Sequence, residues 1–517
     1  TGHTYCDWVF RKCPGFFDIV TWTANGSVQQ LSHNLGSVPG MIIVKRTDDT
    51  SNWLIWHRSL SNSLNDFLRF DNADKQSAVG VWGNNAPTSD YFEFQAQTSG
   101  REFIAYVFAH NDGSFGEDSD EAVIKCDTYA GSGSDGNKIT LGFEPQWLLI
   151  KNIDDNATDW VILDIMRGAN YITGNHLRAN LNSQEYGNTD LRVDLHADGF
   201  SVNANNTMIN GTSGENFIYI AIRRPHKPPE AGTDVFNPST QVGTVPNFSS
   251  TFPVDFAIKL FTSGGNTTYA QLAVTRLLGE RYLATSQTNA EASPSGFSID
   301  WDHMDGWGDK GGLGTGLSFK RAPGFMDVVA VESTTSAAST FNHNLGATPE
   351  FILAKRRDGT GHWYADQVNY YLRLNTDDGN LGTPVFNTLT STQFSVDAGT
   401  FSSGESWIVF LFASLDGISK VGSYTGTGSD GNNIDCGFTN GARFVMVKRT
   451  DSSGDWFVAD TSRGINAGSD PFMKLNTTDA ENNTVDWIDT YNAGFTINGT
   501  GGDFNASGGN YIFLAIA

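Results

Sequence analysis

The chain repeats itself, and this constrains its fold more than any other feature. Gly422-Ser-Tyr-Thr-Gly-Thr-Gly-Ser-Asp-Gly-Asn-Asn-Ile-Asp-Cys-Gly-Phe438, running on to Phe444-Val-Met-Val-Lys-Arg-Thr-Asp451, has an earlier copy. That copy is Asp127-Thr-Tyr-Ala-Gly-Ser-Gly-Ser-Asp-Gly-Asn-Lys-Ile-Thr-Leu-Gly-Phe143 with Trp147-Leu-Leu-Ile-Lys-Asn-Ile-Asp154. A second set, Pro14-Gly-Phe-Phe-Asp-Ile-Val20, His33-Asn-Leu-Gly36 and Met41-Ile-Ile-Val-Lys-Arg-Thr-Asp48, also returns. Its later forms are Pro323-Gly-Phe-Met-Asp-Val-Val329, His343-Asn-Leu-Gly346 and Phe351-Ile-Leu-Ala-Lys-Arg-Arg-Asp358.

The units run one, two, three, then a second one and two, with Ala322 opposite Cys13. This places modules at 13–112, 113–224, 237–321 (the most diverged), 322–415 (a copy of the first) and 416–517 (a copy of the second). The proline-rich stretch 225–236 reads as a stiff linker, because proline fixes φ and removes a donor. Trp8-Val-Phe-Arg-Lys12 leads into Cys13-Pro-Gly-Phe as Leu317-Ser-Phe-Lys-Arg321 leads into Ala322-Pro-Gly-Phe. Residues 1–12 are therefore expected to be the last strand of a truncated preceding module, the remainder lying N-terminal to Thr1.

Each unit is made of short β-branched or aromatic runs bounded by Gly, Asn, Asp or Pro, the pattern of strands and turns, as in the run Ala270–Leu277 of the third unit. No stretch carries period-3.6 spacing over ten or more residues. The fold expected is all-β, a tandem array of antiparallel β-sandwich or jelly-roll (lectin-like) repeats. Trp53, Trp160, Trp363 and Trp456 recur at one place after a Lys-x-x-Asp corner and read as core anchors rather than sugar platforms. The Lys-Arg-x-Asp corners read as solvated turns. Asp135-Gly-Asn137 and Asp430-Gly-Asn432 read as type I′ hairpin tips.

Lys and Arg total 33 against 57 Asp and Glu, a formal net charge of -24. Such a field repels a phosphate backbone, and no basic run offsets it, so nucleic acid is not an expected partner. No apolar run reaches the ~18 residues of a membrane-spanning helix. Cys126 and Cys436 stand opposite Val421 and Leu141 and read as small buried hydrophobes, whereas a Cys6–Cys13 bridge stays open.

Catalytic patterns were sought without success. No strand carries two carboxylates on one face, as a jelly-roll glycosidase needs to hold its acid and nucleophile about 5 Å apart. No Gly-x-Ser-x-Gly elbow is present. Gly306-Trp-Gly-Asp-Lys-Gly311 matches GxGxxG but opens no helix, so it is not read as a dinucleotide site. The acidic run Glu117–Glu121 reads as a solvated loop between modules. His33 and His343 read as turn residues bonded to backbone. The one metal candidate is calcium, held by Asp300, Asp302, Asp305 and Asp309, against a plain solvated loop. No other cofactor and no enzymatic activity is expected.

Several motifs taken together resemble repeat modules of large virion proteins from marine tailed bacteriophages, cyanophages included. They are Phe319–Val329, His343–Gly346, Val421–Gly428, Val447–Asp451, Asn505–Ala517, and Ile220–Pro225 with Gly232–Phe236. The resemblance spans nearly the whole chain, more loosely over 237–320, and Ile516-Ala517 is similar to the natural C-terminus of such proteins. It implies a tail-fibre-like structural protein on an extracellular virion, packed with other virion proteins. It also implies homo-oligomerisation, a trimer by default for a fibre, and adhesion to a host-surface glycan or receptor. The alternatives are a capsid or tail decoration protein without a host ligand and a polysaccharide-degrading tailspike enzyme. The family offers no catalytic residues to transfer.

Overall fold

In the computed structural model the short apolar runs pair into five two-sheet antiparallel sandwiches. The structure describes residues 5–77, 81–116, 119–155, 157–168, 174–187, 191–203, 206–262, 271–295, 297–309, 311, 313–465 and 468–517. Among the described residues the helical elements are two 3-10 turns, Gly232–Asp234 and Arg276–Leu278. The chain divides into two compact units, 1–225 and 226–517, so the division falls at the head of the proline-rich stretch. The first holds modules one and two, the second modules three to five.

All five modules share one strand order in the first five strands of the large sheet; the first module adds a sixth strand there and has two strands in its small sheet where the others have three. In the fifth, the larger sheet runs Ser419–Thr425, Asn510–Ile516, Phe444–Arg449, Trp456–Asp460, Met473–Lys474. The smaller runs Asn432–Asp435, Gly494–Ile497, Ile488–Tyr491. The opening strand of each module thus pairs with its closing strand. Register repeats as well: Met326 faces Phe412 and Phe351 faces Phe412 in the fourth module, as Phe17 and Met41 face Phe108 in the first. Phe236–Thr240 is the opening strand of the third module, so the linker ends where that sheet begins.

Alternation puts one face of each large sheet against the small sheet. In the first module Trp22 meets Phe92 at 6.2 Å and Phe94 at 5.5 Å, and Phe94 meets Phe103 at 5.4 Å. In the fifth, Phe495 meets Phe513 edge-on at 5.2 Å. Aromatic pairs of this kind add ~0.5–1.5 kcal/mol beyond the area they bury. Modules three, four and five are joined by five-residue turns, Ala322-Pro-Gly-Phe-Met326 and Leu415-Asp-Gly-Ile-Ser419, each closed by a bridge between its ends. Gly324 and Gly417 hold φ of 75° and 71° there, which a Cβ would strain.

Three expectations are corrected. The loop read across 306–311 contains a buried strand, Gly306–Asp309, in the small sheet of module three. The Asp-Gly segments are not hairpin tips. Ile124–Ala130 pairs with Asn216–Arg223, whereas Asn137–Thr140 pairs with Gly199–Val202, so each glycine-rich loop crosses from one sheet to the other. The strand read from Ala270 to Leu277 runs from Leu272 to Thr275 and gives way to the 3-10 turn. Ala270 lies outside the described residues, as do Glu117, Asp118 and residues 1–4.

Candidate functional site

The recurring side chains converge where one sandwich meets the next within a unit. The free face of the larger sheet carries the repeated tryptophan. Trp160 donates from its indole nitrogen to the Arg69 carbonyl at 2.9 Å, Trp363 to Ala284 at 2.9 Å, and Trp456 to Arg373 at 2.9 Å. Each acceptor lies on the fifth strand of the large sheet in the preceding module. All three tryptophans are buried. They are core anchors, as expected, but the core they anchor is shared between two modules. Trp53 is half-buried and its indole N–H meets no acceptor among the described residues. In the third module Gln271 stands at this place, its carbonyl accepting from Thr285 as that of Trp363 accepts from Leu374.

Three of the four Lys-x-x-Asp lysines are not solvated, which corrects the reading of those corners; the fourth, Lys45, is half-buried. Lys151, Lys355 and Lys448 are fully buried. Lys448 donates to the carbonyls of Asp377, Arg449 and Gly454 at 3.2, 3.0 and 2.8 Å. Lys355 donates to Thr288 and Arg356 at 3.2 and 2.9 Å. Lys151 bonds the Asn152 carbonyl at 2.6 Å and the Thr158 hydroxyl at 3.2 Å. Burial without an adjoining carboxylate pulls each ammonium down to about 8. The neighbouring Arg and Asp do stay at the surface as pairs: Arg46–Asp48 at 2.6 Å, Arg356–Asp358 at 2.8 Å, Arg449–Asp451 at 2.8 Å.

Further bonds cross the same junctions. His57 of module one donates from Nε2 to the Tyr219 carbonyl of module two at 3.3 Å. Its Nδ1 accepts from the Ser59 amide, which fixes the tautomer. In the copy, Gln367 donates to the Gly422 carbonyl at 2.8 Å. Arg357 pairs with Glu291 of module three at 2.8 Å, and outside these junctions the Thr285 hydroxyl of module three donates to the Leu475 carbonyl of module five at 2.6 Å.

The sheet-crossing glycine-rich loops are held by asparagines that sequence reading missed. The Asn210 side chain accepts from the Ser132 amide at 2.9 Å and donates to the Ser134 carbonyl at 2.7 Å. Asn505 repeats this on Thr427 and Ser429 at 2.9 and 2.8 Å. Tyr129 and Tyr424 brace the loops from below, their hydroxyls donating to Ile209 and Phe504. The only signal was recurrence at one offset from the loop.

The four calcium candidates do not converge. Asp309 is buried and paired with Lys259 at 2.8 Å; burial drives the carboxyl up and the ammonium down. Asp300 faces His303 at 3.3 Å and accepts from the Asp302 amide, while Asp302 and Asp305 are exposed. Among the described residues no group of three His, Cys, Asp or Glu side chains is placed to hold a metal ion. The GxGxxG segment is the buried strand just described up to Asp309, and Lys310 lies outside the described residues.

His33 and His343 are buried turn residues, each accepting at Nδ1 from the leucine amide two positions on, at 3.3 and 3.2 Å. Asp18 and Asp327 close the same turns by accepting from Asn34 and Asn344 at 2.8 and 2.7 Å. All four cysteines are free; Cys126 and Cys436 are buried, and burial pushes the Cys436 thiol up to about 12. An open pocket of about 440 Å³ lies on module five, with Phe457, Phe472 and Phe504 beside Lys474, Asp479 and Asn482. No helix among the described residues is long and apolar enough to cross a membrane.

Compared with known families, the chain is matched by the model of a domain of unknown function, DUF7483, over residues 12–225 and 278–517. No curated protein and no solved structure matches it.

Proposed function

The chain belongs to the DUF7483 family, a domain of unknown function, and, on the resemblance of its motifs to tailed-phage repeat modules, we propose that it is a bacteriophage virion protein of tail-fibre-like kind. Its sandwiches hold adhesive loops against the host surface. The observation that carries this reading is where the recurring side chains go. Trp160, Trp363, Trp456, Lys355 and Lys448 are all consumed in binding one sandwich to the next. A repeat whose shared residues serve its joints transmits force; a repeat of enzymes would share a reaction centre instead. The pocket on module five supplies polar groups suited to sugar hydroxyls, with Lys474, Asp479 and Asn482 at its rim over the buried rings of Phe457, Phe472 and Phe504.

Two measurements test the proposal. Antibody against this chain, imaged on intact particles, is expected to decorate tail appendages; decoration of the capsid shell would favour a decoration protein. The purified chain is expected to bind host cells and lose binding when Lys474 and Asn482 are changed to Ala. Falling viscosity of host polysaccharide on incubation would instead establish a depolymerase.

A further inference from the structure

The outer face of the first module's large sheet is open, and its copy in the fourth module is closed. Ile19, Ile43, Lys45, Trp53, Ile104 and Tyr106 are half-buried. Their counterparts by register, Val328, Leu353, Lys355, Trp363, Ile408 and Phe410, are buried. What covers the second set is the third module. Phe256 lies 4.4 Å from Phe410, Ala284 accepts from Trp363, and Thr288 accepts from Lys355.

The segment just ahead of module one already takes the place of part of such a cover. Phe10 meets Phe108 and Trp147 edge-on at 5.8 and 5.9 Å. Phe319 meets their counterparts Phe412 and Phe444 edge-on at 6.2 and 6.1 Å. Lys12 donates to the Ile19 carbonyl as Arg321 donates to that of Val328, at 3.2 and 3.0 Å. Yet Thr315–Phe319 is a central strand, flanked by Phe236–Thr240 and Phe256–Leu260, whereas Trp8–Lys12 has no strand beside it among the described residues. Val9 is 92% exposed; its counterpart Ser318 is fully buried.

We propose that this face, together with Trp8–Lys12, is a docking surface for a β-sandwich of the third kind, which supplies the strands flanking Trp8–Lys12, the acceptor for Trp53 and a further acceptor for Lys45, whose bond in this structure is to the Ser51 carbonyl of its own module. The third module of this chain is already engaged by the fourth, so the occupant is a further unit of that kind. Thr47 stands where the fourth module has Arg357, so the occupant needs no counterpart of Glu291. An apolar, tryptophan-bearing sheet face left open beside an unpaired strand is an edge that β-augmentation closes.

The test is acylation of lysines in the full chain, read peptide by peptide. Lys45 is expected to react at least about tenfold faster than Lys355, which sits behind the third module. In a chimera whose residues 1–9 are replaced by a duplicate of 226–318, so that Phe10 follows Ser318, Lys45 is expected to fall to the rate of Lys355. A folded chimera with Lys45 as reactive as before overturns the proposal. So does protection of Lys45 in the parent chain that rises with concentration alongside a dimer mass, since a second copy is then the occupant. Should the chimera not fold, Trp53→Ala and Trp363→Ala in the parent chain decide the matter. A docking residue without its partner predicts a much smaller melting shift for Trp53→Ala; equal shifts make Trp53 an ordinary core residue and overturn the proposal.

Discussion

The imidazole of His57 donates from Nε2 to the carbonyl of Tyr219 at 3.3 Å, across the joint between the first and second sandwiches. The other ring nitrogen, Nδ1, accepts from the Ser59 amide and can do so only in a neutral ring, and burial holds the ring neutral, down to about 3.

A histidine whose folded value is depressed contributes stability that is present above its unfolded value and lost as pH falls toward the folded one. Unit 1–225 is therefore expected to lose stability between pH 6.5 and 3. His57→Gln, which copies Gln367 at the corresponding joint, should remove about 2 kcal/mol of that loss at pH 5. Urea melts of parent and variant at pH 7.5 and 5 check this; parallel slopes would refute it.

The indole bond and the indole volume separate by mutation. Trp456→Phe keeps most of the packing but leaves the Arg373 carbonyl with only the long bond from the Thr376 amide at 3.4 Å. The expected cost is about 1–2 kcal/mol. Trp456→Ala adds a cavity and should cost about 3–5 kcal/mol. Denaturant midpoints of the full chain measure both.

Lys355 and Lys448, held down to about 8, act in the opposite pH range. Between pH 8 and about 10 the unfolded chain keeps protons that the folded lysines have released, so stability rises with pH there. Replacing both by Met should flatten that rise, by up to about 3 kcal/mol per lysine. The difference between parent and variant melts from pH 7.5 to 9.5 isolates the effect from other titrating groups.

Asn505 is fully buried and feeds both sides of one glycine-rich loop. Asn505→Ala strands the Thr427 amide and removes a donor from the Gly499 carbonyl and from the Ser429 carbonyl, which keeps the Thr427 hydroxyl. It is expected to cost about 2–3 kcal/mol and to raise amide exchange from Gly426 to Gly431 while leaving the strands protected.

Much of the architecture could be read from residues alone, because the strands are short, apolar and separated by glycine. Repetition located the tryptophans, and the match of Cys126 and Cys436 to Val421 and Leu141 placed both thiols in the core. The lysines misled because Lys355 is surrounded only when a second module supplies Thr288, and a corner read by itself looks solvated. The Asp-Gly segments misled because a turn dipeptide between two strands says nothing about which sheet each strand joins. Asp309 sat in a glycine-rich, acidic stretch, yet its partner Lys259 lies far back along the chain.

In every module the opening strand lies antiparallel to the closing one, with Ser419 facing Ile516 and Phe236 facing Phe319, so the polypeptide enters and leaves at one corner. Tension applied through the chain therefore peels these two strands apart one hydrogen bond at a time instead of shearing the whole ladder. A single sandwich of this design would unzip under modest load. Within each unit, the resistance to being pulled then resides in the indoles and ammonium groups that bind one sandwich to the next, and each further sandwich in a unit brings its own fastening.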